Sequence, residues 1–178
     1  MIHRRPRFRT RSETTALEVS LSSTSANGAP SLWKGLVAGL AAGVAATAAR
    51  TLAEKLYPPR IHGEPEPAAL LTERIVGHPL DLTTERAAAQ GLRWGFGAAA
   101  GACYGAVAEF YPAVTSKAGA SFGLTLMALT HRGVLPAMGL DAPTEQQSER
   151  EQASEAATHL IYGVVAERVR SIVREMLD

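Results

Sequence analysis

The chain has 178 residues, a formal net charge of +1, 46% hydrophobic residues and a single cysteine, Cys103. The charge excludes a global drive toward nucleic acid, and the lone cysteine excludes an internal disulfide and any Cys-based zinc cluster. Aromatics make up only 6%, and much of the apolar content is Ala, with Gly beside it; such residues bury little area each in water, whereas helices in lipid associate by close packing and lose less by being small.

In residues 1–30, Arg4, Arg5, Arg7, Arg9 and Arg11 precede the first acid, Glu13, and Ser and Thr follow as far as Asn27-Gly28-Ala29-Pro30. The absence of an apolar run excludes a secretory signal peptide. The composition also fits a transit peptide, but a disordered basic cytoplasmic tail is the preferred reading.

The remainder, 31–178, reads as one domain of four long helices, about 32–56, 90–111, 118–135 and 149–177. In the first, the uncharged stretch Gly35 to Ala49 is 15 residues, about 22 Å as helix against a hydrocarbon core of about 30 Å. Lys34 can snorkel at one end, Arg50 and Glu54 share a face at the other, and Pro58-Pro59-Arg60 stops the helix. Residues 57–89 are polar, with a short amphipathic helix from Ala68 to Val76 and a helix start at Asp81-Leu-Thr-Thr-Glu85, capped by Thr83 or Thr84. The second long helix has Arg93 and Trp94 at its start and Phe110 and Tyr111 at its end, the aromatic placement of two membrane interfaces. Ala113 to Lys117 links it to the third, which Pro136 ends. The fourth is free of charge and histidine only from Leu160 to Ala166, so it is amphipathic and cannot face lipid all round.

Small residues recur every fourth position on these helices, in ridges that end at an ionisable group. Gly35, Gly39, Gly43 and Thr47 lead toward Glu54; Gly97, Gly101 and Gly105 lead to Glu109; Gly119, Gly123 and Met127 lead to His131; Glu155, His159, Gly163 and Glu167 have the same spacing. Such ridges let backbones approach closely. The expected fold class is therefore all-α, a four-helix transmembrane bundle with Gly/Ala-rich packing that self-associates through its ridges. Tyr104-Gly-Ala-Val-Ala-Glu109 and Tyr162-Gly-Val-Val-Ala-Glu167 agree in five of six positions, an internal repeat that fits parallel second and fourth helices.

With both termini inside, the inner side holds the five tail arginines, Lys34, Lys117, Arg168, Arg170 and Arg174. The outer side holds Lys55, Arg60, Arg74, Arg86, Arg93, Arg132 and Arg150, ten against seven in favour of that orientation. This topology gathers Arg50, Glu54, Arg93, His131, Glu155 and His159 into one polar layer, with Glu109 and Glu167 as inner carboxylates near headgroups. Glu155 and His159, four apart, allow the carboxylate to orient the imidazole. The cluster reads as proton- or ion-responsive. As a metal site, His131, His159, Glu155 and Glu54 are plausible nitrogen and oxygen ligands; the bland alternative is a set of ion pairs tying helices together. Trp33 and Trp94 read as interface anchors, Cys103 as a small packing residue, and His62 and His78 as solvated loop histidines.

Three stretches resemble the YagU-like family of small bacterial inner-membrane proteins. They are Gly35-Leu-Val-Ala-Gly39 leading through Glu54 to Pro58-Pro-Arg60; Cys103-Tyr-Gly-Ala-Val-Ala-Glu-Phe-Tyr-Pro112; and His131, then Pro136-Ala-Met-Gly-Leu140 and Pro143, followed by Ser154-Glu155 and His159. The resemblance implies a multi-span inner-membrane protein with no established activity to carry over, and it puts Glu54, Glu109, His131, Glu155 and His159 on matching positions. The longer Arg-rich tail and less hydrophobic helices depart from it. The expectation is a non-enzymatic inner-membrane protein with both termini cytoplasmic. Its partners are the lipid bilayer and copies of itself, with no nucleic acid. No cofactor is expected; a membrane metal- or haem-binding protein and a soluble or peripheral helical scaffold are the alternatives.

Overall fold

Helix α1, Leu32–Leu56, buries the face formed by Gly35, Ala38, Gly39, Ala42, Gly43, Ala46 and Thr47, every third or fourth residue. This computed structural model describes residues 29–59, 66–78, 80–141 and 146–178. The expectations for the arginine-rich tail, Arg60, His62 and Pro143 fall outside those residues. The chain divides into Met1–Pro30 and Ser31–Asp178, and the second unit is all-helical among the described residues.

Helix α2, Pro67–Val76, begins with Pro at its first position and ends at Gly77, whose φ of 80° supplies the left-handed cap. Helix α3, Leu82–Phe110, begins well before the Gln90 expected from sequence. Its cap is Asp81 rather than a threonine: the Asp81 carboxylate accepts from the Thr83 and Thr84 backbone N–H groups at 3.0 and 3.1 Å. With those donors satisfied, the polar residues beyond them continue as helix.

A 3₁₀ segment, Pro112–Gly119, turns the chain toward helix α4, Ala120–Leu129. The corner is left-handed at Lys117, Ala118 and Gly119. Beyond α4 the helix widens into a π turn, Thr130–Val134, and closes with one tight turn, Leu135–Ala137. Helix α5, Glu149–Met176, starts with a capping box between Ser148 and Glu151. It buries the stripe Ser154, Glu155, Thr158, His159, Tyr162, Gly163 and Ala166.

Glycine backbones set the packing. α1 and α3 run antiparallel: a Cβ added at Gly39 would meet the Gly101 carbonyl, and one added at Gly101 would meet the Gly39 carbonyl. Gly35 and Gly105 face each other in the same way, and Gly43 faces the Gly97 carbonyl while Gly97 itself faces the Thr47 side chain. α4 and α5 repeat the device, Gly119 against the Gly163 backbone and Gly123 against the His159 carbonyl. The ridges thus meet one another within one chain, so a second copy of the chain would need another face. α5 also lies antiparallel to α1 and parallel to α3, with Ser154 Oγ donating to the Tyr57 carbonyl at 2.7 Å and Tyr162 OH donating to the Gly97 carbonyl at 2.6 Å.

The core is correspondingly slight: Ala42, Ala46, Tyr162 and Ala166, with Phe122, Leu126, Val165 and Val169 against them. Large apolar side chains lie outside, among them Leu36, Leu40 and Val44 on α1, Phe96 and Val107 on α3, Leu124 on α4 and Ile161 and Val164 on α5. Among the described residues, α1 alone is long and apolar enough to cross a membrane, and 33% of its most apolar 18-residue window is buried within the chain. Trp33 and Trp94 are both exposed. Cys103 is exposed rather than packed, between the buried ridge residues Gly101 and Gly105 of α3.

Candidate functional site

The six residues of the expected polar layer come together between the C-terminal end of α1, the interior of α3, the first turns of α5 and the π turn. Arg50 Nε donates to Glu54 Oε1 at 2.8 Å, the i, i+4 pair anticipated on α1. Arg93 Nη1 closes on the other Glu54 oxygen, and its Nη2 lies 3.1 Å from Glu66. Glu54 thereby bridges two guanidinium groups. Glu66, at the N-cap position of α2, adds a second carboxylate to Arg93. Arg50 Nη2 also approaches Glu155 Oε2, at 3.9 Å.

His131, Glu155 and His159 form a second, more buried group, 8%, 5% and 1% exposed. One ligating atom from each residue lies within 4.8 Å of the others. His131 stands between two carboxylates: its Nδ1 is 2.9 Å from Asp141 Oδ2 and its Nε2 is 3.3 Å from Glu155 Oε2. His159 Nδ1 hydrogen-bonds to the Glu155 backbone carbonyl at 2.8 Å, while the Glu155 carboxylate is 3.6 Å away. The main chain, rather than the expected carboxylate, orients this imidazole. Because a carbonyl only accepts, Nδ1 carries the proton and Nε2 keeps its lone pair. The two rings meet edge to face with centroids 5.0 Å apart.

The π turn positions His131. Such a turn inserts extra length into a helix and occurs often where a side chain is presented for function. Here it presents His131 to α5 while Thr130 Oγ1 bonds back to the Leu126 carbonyl at 2.8 Å. Arg132 is exposed. A cavity of about 340 Å³ adjoins the cluster, with Arg50, Arg93 and His131 in its wall and Leu92, Phe96 and Leu135 among its apolar lining.

Glu54 holds the two arginines and stands apart from the group of three, so the structure offers His131, Glu155 and His159 as residues that could hold a metal ion, without Glu54. Glu109 and Glu167 are paired rather than turned to a surface. Glu109 engages Arg174 and accepts from the Ser31 backbone N–H at 3.0 Å. Glu167 holds Arg170 through two bonds, of 2.7 and 2.8 Å, and accepts from Tyr104 OH at 2.7 Å. Lys34 and Arg174 both reach Asp178, at 3.1 and 2.5 Å. His78 is exposed.

Sequence patterns do not single out Glu66, Asp141, Tyr104 or Tyr162 as partners. Asp141 carries the best signal, the first acid after His131, ten residues beyond it and five past Pro136.

Residues 44–168 match the model of a family described as a protein of unknown function (DUF1440). No curated protein and no solved structure matches the chain.

Proposed function

The chain belongs to the DUF1440 family, and from that premise we propose that it is a small, non-enzymatic membrane protein whose helices stand together in the bilayer around an ion-handling Glu/His/Arg cluster. The observation that carries this reading is the inverted placement of polarity. Leu, Val, Phe and Ile side chains of α1, α3, α4 and α5 lie outside, while Arg50, Glu54, Arg93, His131, Glu155 and His159 are drawn in between helices. In water this arrangement loses on both counts, since apolar area stays wet and charges are desolvated. In lipid the outer surface is solvated, and glycine ridges supply the contact that apolar bulk cannot. Ionisable groups inside such a bundle are costly and mark ion or proton pathways. The YagU-like resemblance supports an inner-membrane setting with both termini on the cytoplasmic side, as four passes require them to share a side.

The test is carbonate extraction of membranes followed by tag accessibility at both termini, then cation and proton flux in vesicles holding the purified chain. Retention in the carbonate pellet, equal accessibility of the two tags and flux that falls in Glu155→Gln are the expected results. Release by carbonate without detergent, or wild-type flux equal to that of empty vesicles, would overturn the reading.

A further inference from the structure

Three features of the cluster go further than a general affinity for ions. Both imidazoles are held through Nδ1, His131 by the Asp141 carboxylate and His159 by the Glu155 main-chain carbonyl. Metal-ligating histidines are held in this way: an acceptor on one nitrogen fixes the ring and its tautomer and leaves the other nitrogen as the donor atom. His131 Nε2 lies 3.3 Å from Glu155 Oε2, so a ring nitrogen from the π turn and a carboxylate oxygen from α5 converge on one point. Tetrahedral zinc ligands at about 2.0–2.2 Å from the ion stand about 3.3–3.5 Å from one another; His131 Nε2 and Glu155 Oε2 already have that spacing, and one ligating atom from each of the three residues lies within 4.8 Å of the others.

Charge points the same way. Among the described residues, the carboxylates of Glu54, Glu66, Asp141 and Glu155 outnumber the guanidinium groups of Arg50 and Arg93 around the cluster, a setting that favours a cation. Two imidazoles and a carboxylate suit zinc and its neighbours in the transition series, whereas calcium and magnesium prefer an all-oxygen set. His131 also lies on the wall of the 340 Å³ cavity, which gives an ion a route to the group.

We propose that His131, Glu155 and His159 bind one zinc-class divalent cation, with Asp141 as the residue that orients His131. The site deepens the ion-handling reading of the same cluster and rests on it for its membrane setting. Three protein ligands leave a fourth position for water or an exchanging ligand.

The experiment uses the full chain, purified in detergent, stripped with a chelator and titrated with Zn²⁺, with Co²⁺ as the spectroscopic probe. One ion per chain and an intense, tetrahedral-type Co²⁺ visible spectrum are expected. His131→Ala and His159→Ala should each abolish that spectrum, and Asp141→Asn should weaken binding by about 10–100-fold. His131→Cys should restore a Co²⁺ site with an added sulfur charge-transfer band, an outcome that a merely structural role for His131 does not produce. Circular dichroism of each stripped variant checks its fold. Wild-type binding no tighter than that of the His131→Ala, His159→Ala double variant, or a pale octahedral Co²⁺ spectrum, overturns the site. Silent Zn²⁺ titration of a chain that stays in the carbonate pellet and still conducts in vesicles ends this inference alone. Stoichiometric Zn²⁺ binding by a chain released by carbonate ends the membrane reading and leaves the metal site standing.

Discussion

Glu54 is the residue on which the polar layer turns, because its two oxygens engage Arg50 and Arg93 from different helices. Its side chain is only 10% exposed, so the interaction is not screened as a surface pair is. Replacing it by Gln keeps the shape and removes the charge both guanidinium groups share, leaving Arg93 with Glu66 and Arg50 with Glu155 at 3.9 Å. Breaking one partner out of a buried pair costs about 3–5 kcal/mol, and Glu54→Gln should lower unfolding stability in detergent by that order, read from a denaturant titration. Sequence alone could place Glu54 with Arg50, since they share a helix face. It could not place Glu66 or Asp141, because helix periodicity says nothing about which loop end folds back onto which ridge. The choice of the Glu155 carbonyl over its carboxylate as the partner of His159 was equally hidden: both acceptors belong to the same residue, and spacing does not separate them.

At the level of elements, close approach and capping do the organising. Gly101→Ala drives a methyl into the Gly39 carbonyl and the Gly43 backbone, while a Cβ at Gly91 meets nothing within 4 Å. Gly101→Ala should therefore destabilise by about 1–3 kcal/mol through overpacking. Gly91→Ala, an unopposed gain in helix propensity, should stabilise by up to about 1 kcal/mol. Thermal unfolding of the two variants side by side checks both signs. At the start of α3, hydrogen bonds from Thr84, and then from the Thr83 backbone, hold the Asp81 carboxyl below its ordinary value of 3.8. A carboxyl depressed in the folded state supports the helix start above its ordinary value, and that support is lost as pH falls through the lowered one. The Thr83 and Thr84 amide proton shifts should move across that acid window in the wild type and stay still in Asp81→Asn, which caps without titrating. The sequence carried this cap's signal, Asp with two threonines close behind it, yet the stretch Thr83–Gln90, with no apolar residue larger than alanine, hid the first turns of α3. Periodicity needs apolar residues to register, and a capped polar turn has none.

For the whole molecule, the legible part was the ridge pattern: glycines four apart mark which helix faces meet. Their partners were not legible, since a ridge fits another chain as well as its own, and the fold uses them internally, α1 on α3 and α4 on α5. Helix α5 is tied along its length: Ser154 reaches the end of α1 at Tyr57, Tyr162 the middle of α3 at Gly97 and Arg174 the end of α3 at Glu109. Burial here therefore tracks backbone contact rather than side-chain size.

A protein joined main chain to main chain has an unusual tolerance to change. In a water-soluble fold, interior side chains trade volume among themselves and the surface accepts nearly any polar residue. Here the glycine seams have no side chain to trim in compensation, while in the membrane setting proposed above Leu36, Leu40, Val44, Phe96 and Ile161 on the outside need only remain greasy. A saturation library sorted for membrane-inserted, folded protein should keep Gly39, Gly101, Gly105, Gly123 and Gly163 nearly invariant and let those outer positions drift among Leu, Ile, Val, Phe and Met. Charges at the same outer positions should be purged, the reverse of what a cytosolic surface selects.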